Sequence, residues 1–141
     1  IPVYLKTKLK EDAFYKNTKT LLTIHNLAYQ GLFPKEQFPS LGLDESLFNI
    51  DGFEFYGKIC FLKAGIVFAD YISTVSQGYA KEMLTKEFGC GLEDVLAKRK
   101  DVLTGIINGL DYSIWDPRTD KYIFKNFDGS VISGKKANKK E

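Results

Sequence analysis

Thr20-Leu-Leu-Thr-Ile-His25-Asn26 is a short apolar run that ends on two polar side chains, and His25 is the only histidine among 141 residues. Leu21, Leu22 and Ile24, interleaved with β-branched Thr20 and Thr23, predict a strand covered on both faces. In open α/β sheets ligands gather in the crevice outside the carboxyl ends of the parallel strands, so His25 and Asn26 stand where a ligand would be hydrogen-bonded. On pattern alone, a histidine at a strand end serves equally well as a hydrogen-bonded structural residue.

Two other places have residue types suited to a site. Asn108-Gly109 lies between the apolar stretches Val102–Ile107 and Leu110–Ile114. Both residues tolerate positive φ, so turn preference alone favours a plain two-residue hairpin there. Phe88-Gly89-Cys90-Gly91-Leu92 opens a helical stretch with exposed N–H groups able to hold an anion. It lacks a full dinucleotide fingerprint and follows no strand directly, so a tight structural turn is the better reading.

The elements that must position these residues alternate. Residues 2 to 10 read as the end of a helix and 20 to 25 as a strand. Residues 27 to 51, punctuated by Pro34, Pro39 and Gly42, read as a long loop of short helical turns whose aromatic residues argue against disorder. Ile59, Leu62 and Ile66 recur at helical spacing, which predicts a helix over 54 to 69 with one face on the sheet. Strands follow at 71 to 75 and 102 to 107, with helices at 77 to 84 and 92 to 98. Ser76 is placed to cap the first of these helices. Such alternation implies parallel strands, and it would bring His25, Ser76 and Asn108 to one edge of a sheet. Pro117 marks the expected end of the domain.

Composition narrows the classes. With 44% apolar and 27% charged residues the chain matches a globular α/β segment, and no run approaches the ~18 apolar residues that span a bilayer. The first sixteen residues lack a basic head followed by a long apolar core. Cys60 and Cys90 have no second cysteine or histidine at metal-ligand spacing, which argues against zinc and for buried free thiols. A net charge of +2 gives no strong field for nucleic acid, and the basic tail Gly134 to Glu141 reads as a solvated helix face. The only methionine is Met83, so the chain is expected to be a piece of something longer or a processed product.

His25-Asn-Leu-Ala-Tyr-Gln-Gly31 resembles the corresponding segment of bacterial glycogen synthases and plant starch synthases, the retaining GT-B glucosyltransferases. The resemblance continues through Asp51 to Gly65, Ala69 to Ser76, Glu87 to Glu93, and Gly105-Ile-Ile-Asn108-Gly109-Leu-Asp111 to Pro117, five ordered blocks over residues 20 to 120. It implies an α/β fold: a Rossmann-like parallel sheet with flanking helices, part of the N-terminal half of a GT-B fold. Residues 1–117 would belong to the N-terminal, acceptor-side domain, and 118–141 would cross over and begin the C-terminal domain. A Lys-Thr-Gly-Gly loop and a His-Asp-Trp-His segment would lie upstream. A second domain, bearing a basic pair and a glutamate, would lie downstream.

The resemblance also implies a chemistry: transfer of glucose from ADP-glucose to the non-reducing end of an α-1,4-glucan with retention. His25, through its ring or its carbonyl, would sit by the transferred glucose. Asn26 and Asn108, with Gly109 beside it in a loop at the cleft, would bind sugar hydroxyls or the nearby phosphate. Tyr29 and Gln30 would shape the acceptor channel. No carboxylate is an obvious nucleophile, and no cofactor or metal is called for. The partners are the donor, the glucan and the remainder of the same enzyme, with neither nucleic acid nor membrane, in the cytoplasm of a bacterium or the plastid of a plant. A UDP-glucose-dependent transferase is the nearest alternative. A non-catalytic glucan-binding module, or the nucleotide-binding domain of another enzyme, would be a different class.

Overall fold

The computed structural model describes residues 1–141 and divides them into two compact units, Ile1–Ile107 and Asn108–Glu141. The elements of the first unit run α1 (Pro2–Lys6), β1 (Leu21–Ile24), β2 (Leu32–Pro34), β3 (Glu54–Phe55), β4 (Lys58–Cys60), α2 (Phe61–Phe68), β5 (Tyr71–Thr74), α3 (Gln77–Glu82), α4 (Glu93–Ala97) and β6 (Leu103–Gly105). β1, β5 and β6 form a parallel sheet in that order, with Ile24 opposite Thr74 and Thr74 opposite Gly105. Within this sheet the connections run through helices, α2 leading into β5 and α3 and α4 lying between β5 and β6, as the alternation of the sequence requires.

The stretch read as one helix over 54 to 69 divides into a hairpin and a helix. Glu54 pairs with Ile59 and Phe55 with Lys58, which leaves Tyr56-Gly57 as a two-residue turn with φ of 49° and 76°. Two successive positive φ values are what a primed hairpin turn needs, and Gly57 supplies one without strain. The helix begins only at Phe61, where Cys60 Sγ accepts from Lys63 N at 3.3 Å. The spacing of Ile59, Leu62 and Ile66 persisted across this break because a strand residue happened to fall in helical register. The loop read over 27 to 51 does contain helical turns, 3₁₀ in geometry, at Lys35–Leu41 and Glu45–Leu47. It also contributes β2, which pairs antiparallel to β4.

Two apolar clusters flank α2. One gathers Ile24, Leu27, Ile66, Ile72, Met83, Leu92 and Leu96, all essentially inaccessible. The other holds Val3, Phe38, Phe53, Ile59 and Ala64, with Phe38 edge-on to both Phe48 and Phe53. The aromatic loop is therefore packed through its own rings, each burying large area at low entropy cost. β1 departs from the expectation of cover on both faces: Leu21 is 62% exposed, and Thr23 faces outward with its hydroxyl 2.9 Å from that of Ser73. Cys60 is buried, and burial pushes its thiol up from the ordinary value, whereas Cys90 is exposed at a positive φ of 52°, contrary to the expectation for both thiols. Lys63 is buried as well, its ammonium donating to Ile50 O at 2.6 Å and Glu54 O at 2.5 Å, so a buried charge is met by carbonyl dipoles of the hairpin region.

The amino-terminal edge of the sheet is clasped by Asp70. Its carboxylate accepts from Lys6 Nζ at 2.5 Å, Thr20 N at 2.8 Å and Thr20 Oγ1 at 3.0 Å, tying α1 and the start of β1 to the start of β5. The Lys6 hydrogen bond is the main cause holding this carboxyl well below the usual carboxylate range, with the Thr20 donors adding to it against the cost of burial. Because the folded pKa is depressed, the stabilisation is complete above the unfolded value of about 3.9 and is lost as pH falls below it toward the folded value. Thermal melts taken from neutral pH down to about 2 are expected to show this loss. Asp70→Asn should melt lower at neutral pH and lose less on acidification; equal acid sensitivity in the variant would contradict the assignment.

The second unit is described by itself. Arg118 bonds Asp116 through Nε and Nη2, Asn126 donates to Pro117 O and Asp120 O, and α5 (Ser133–Asn138) is fixed when Asn138 accepts from Lys125 N at 2.9 Å and donates to Lys125 O at 2.7 Å. Lys135 and Lys136 are exposed, as expected of a solvated tail. No helix of the chain is long and apolar enough to cross a membrane.

Candidate functional site

The carboxyl ends of β1, β5 and β6 reach one edge of the sheet, and hydrogen bonds fix them side by side. Thr74 Oγ1 donates to Ile24 O at 2.7 Å inside the core, and Ile106 N donates to Thr74 O at 2.8 Å. Bonds of this kind, one from a side chain and one from the backbone, lock the relative height of neighbouring strand ends, because a buried carbonyl without a partner costs free energy. Whatever leaves the ends of β1 and β5 therefore emerges from a defined platform.

β1 delivers His25 and Asn26, both exposed. Asn26 Oδ1 accepts from Ala28 N at 2.9 Å and its carbonyl accepts from Tyr29 N at 3.4 Å, an Asx turn that reverses the chain. That arrangement uses the amide oxygen locally and leaves the Asn26 NH₂ group as a pair of donors for a ligand. Leu27 then plunges into the core at 0% exposure. Its amide is met by the Tyr79 hydroxyl at 3.2 Å. The hydrogen bonds of this turn run through the Leu27 and Ala28 amides, and His25 is exposed.

Tyr29 is 83% exposed, its ring standing off the turn. Gln30 is 9% exposed, and its amide donates to Cys90 O at 2.9 Å. Gln30 thus reaches the turn at 88 to 92. Beyond it, Gln30 O and Gly31 O accept from Leu62 N and Phe61 N, seating the loop on the start of α2.

β5 delivers Ser76, whose hydroxyl accepts from Tyr79 N at 2.9 Å and caps α3 as its sequence position implies. Gly105, at the end of β6, lies directly against the Ser76 carbonyl, and a Cβ there would collide with it. His25 and Ser76 accordingly share the edge. Asn108 and Gly109 are exposed and open the second unit; residues 106 to 111 carry no strand, so the hairpin alternative is not formed. The turn at 88 to 92 leads into α4, which has five residues, and Gly89 N is already engaged by Thr85 O at 2.7 Å. No group of three or more His, Cys, Asp or Glu side chains gathers anywhere in the chain.

No local sequence signal marks the contacts that Tyr79 and Thr74 make at this edge. The Ser76 cap fixes the register of α3 and so the orientation of Tyr79, but the partner of Tyr79 lies 52 residues upstream and leaves no local signal.

The chain's relatives place this edge in context. The family model described as starch synthase catalytic domain matches residues 1–98. The chain is 51% identical to a glycogen synthase of Thermodesulfovibrio yellowstonii over all 141 residues, which cover 28% of that protein. It is 55% identical to a glycogen synthase of Thermosipho melanesiensis over 139 residues, covering 99% of this chain and 29% of the relative. Its fold superposes on the catalytic domain of Starch Synthase IV from Arabidopsis thaliana, a structure bound to ADP and acarbose, with a TM-score of 0.72 and 30% identity over 99% of this chain and 29% of that one. The chain thus spans less than a third of the length of these relatives. With a parallel sheet of this topology, the His25–Gly31 turn at its carboxyl edge and half of its residues in common with glycogen synthases, the chain belongs to the starch synthase catalytic domain family.

Proposed function

We propose that this chain is the acceptor-side part of a hexosyltransferase that moves glucose from ADP-glucose to the non-reducing end of an α-1,4-glucan with retention at the anomeric carbon. The observation that carries the reading is the exposed His25–Asn26 pair on a hydrogen-bonded turn at the carboxyl edge of the sheet, in a chain about half identical to glycogen synthases throughout. Glucosyl transfer develops positive charge at the anomeric carbon and negative charge on the leaving diphosphate, so the site acts by orientation and electrostatics. In this reading His25 lies by the transferred glucose, where its ring or carbonyl meets the developing charge. Asn26 offers its NH₂ donors to sugar hydroxyls, and Asn108 with Gly109 meets the sugar or its phosphate. Tyr29 presents a ring for the acceptor glucan to pass over, and Gln30 holds the neighbouring turn.

ADP in the similar Arabidopsis structure supports an adenine donor, and a UDP-glucose-dependent transferase is the nearest variant. A cytoplasmic or plastid setting goes with this activity. The exposed rings of Tyr29 and Tyr56 favour one further reading, a glucan-binding module without a donor site.

Glucose incorporation into glycogen from ADP-glucose and from UDP-glucose, measured on this chain alone and on the full-length parent, separates these readings. The isolated 141 residues are expected to incorporate none above a heat-inactivated control, because the basic pair and the glutamate expected in the second domain, which would complete the donor site, lie in other parts of the parent. Incorporation by the chain alone would overturn that assignment.

A further inference from the structure

We propose that Tyr79 is a positioning residue: through its hydroxyl it fixes the turn that carries His25 and Asn26, without touching the sugar itself. The inference rests on the glucosyltransferase reading above.

The geometry forms a closed circuit. Ile24 O, at the end of β1, is held by Thr74 Oγ1 at the end of β5. Two residues further, Ser76 anchors α3 through its hydroxyl to Tyr79 N at 2.9 Å and its carbonyl to Ala80 N at 3.0 Å. Tyr79 then returns to β1's continuation, its hydroxyl accepting from Leu27 N at 3.2 Å. His25 and Asn26 are the two residues inside this circuit, between a pinned Ile24 and a pinned Leu27. The far end of the turn is held separately, by Gln30 on Cys90 O and by Leu62 N on Gln30 O.

The Tyr79 ring is half-buried against the cluster that contains Leu27, and phenylalanine fills the same space. What phenylalanine cannot do is accept from Leu27 N, a donor buried away from water. Tyr79→Phe therefore removes one restraint on the turn while keeping the packing. A small displacement of groups that meet a transition state lowers turnover more than it weakens ground-state binding.

The test uses the full-length parent. Tyr79→Phe is expected to lower kcat about tenfold with KM for nucleotide sugar and glucan within about twofold. Deuterium uptake should rise in the peptide covering residues 25 to 30 and stay unchanged elsewhere. Lys81→Ala, exposed on the same helix, should keep wild-type kcat. An active wild type whose Tyr79→Phe variant keeps wild-type kcat, or a variant with unchanged exchange over 25 to 30, overturns the inference alone. A lowered melting temperature with intact kcat reduces Tyr79 to a structural contact and overturns it equally. A wild-type parent that transfers no glucose overturns the functional reading and this inference with it.

Discussion

His25→Ala in the full-length parent is expected to lower kcat by about 3 kcal/mol, on the order of a hundredfold, with a much smaller rise in KM for ADP-glucose. That scale belongs to one well-placed electrostatic contact made mainly in the transition state. The competing role, a histidine that only braces the strand end, requires contacts that the ring would lose. The turn is instead held by Thr74 on Ile24 O, Tyr79 on Leu27 N and Asn26 on Ala28 N. The melting temperature should therefore change little. Melting temperature and kcat measured on one preparation decide between the roles, and a destabilised variant with intact kcat would remove His25 from the site.

Gly105→Ala should produce the largest loss of stability near the site, about 3 kcal/mol. The added methyl would fall on the carbonyl of Ser76 and the amide of Gln77. These are backbone groups at the start of α3, so no side-chain rotation relieves the overlap. Either β6 parts from β5 or the Ser76 cap is forced off its helix. Calorimetry of the parent should show the transition moved to markedly lower temperature, and a shift equivalent to less than about 1 kcal/mol would mean that the strand ends are looser than described.

Much of this edge was legible because its determinants are local. A β-branched apolar run makes β1, a serine ahead of a helical stretch caps α3, and alternation with helices makes the strands parallel. The five ordered motif blocks led to the family directly, and the relatives agree over the whole chain. What was hidden depends on distant pairing. The division of 54 to 69 follows from the positive-φ turn at Tyr56-Gly57, a two-residue signal outweighed by the chance spacing of Ile59, Leu62 and Ile66. The pairing of β2 with β4 and the reach of Gln30 to Cys90 join residues far apart in sequence, so no periodicity reports them. Cys90 is likewise exposed, in a turn where its own φ is positive, despite the apolar character of a thiol.

The most direct test of the central claim is incorporation of radiolabelled glucose from ADP-glucose into glycogen by the purified full-length parent, followed by digestion from the non-reducing end. Label is expected in α-1,4 linkage that an exo-acting amylase releases in the first products. Glycogen that binds the protein yet gains no label, from ADP-glucose or from UDP-glucose, would contradict the claim.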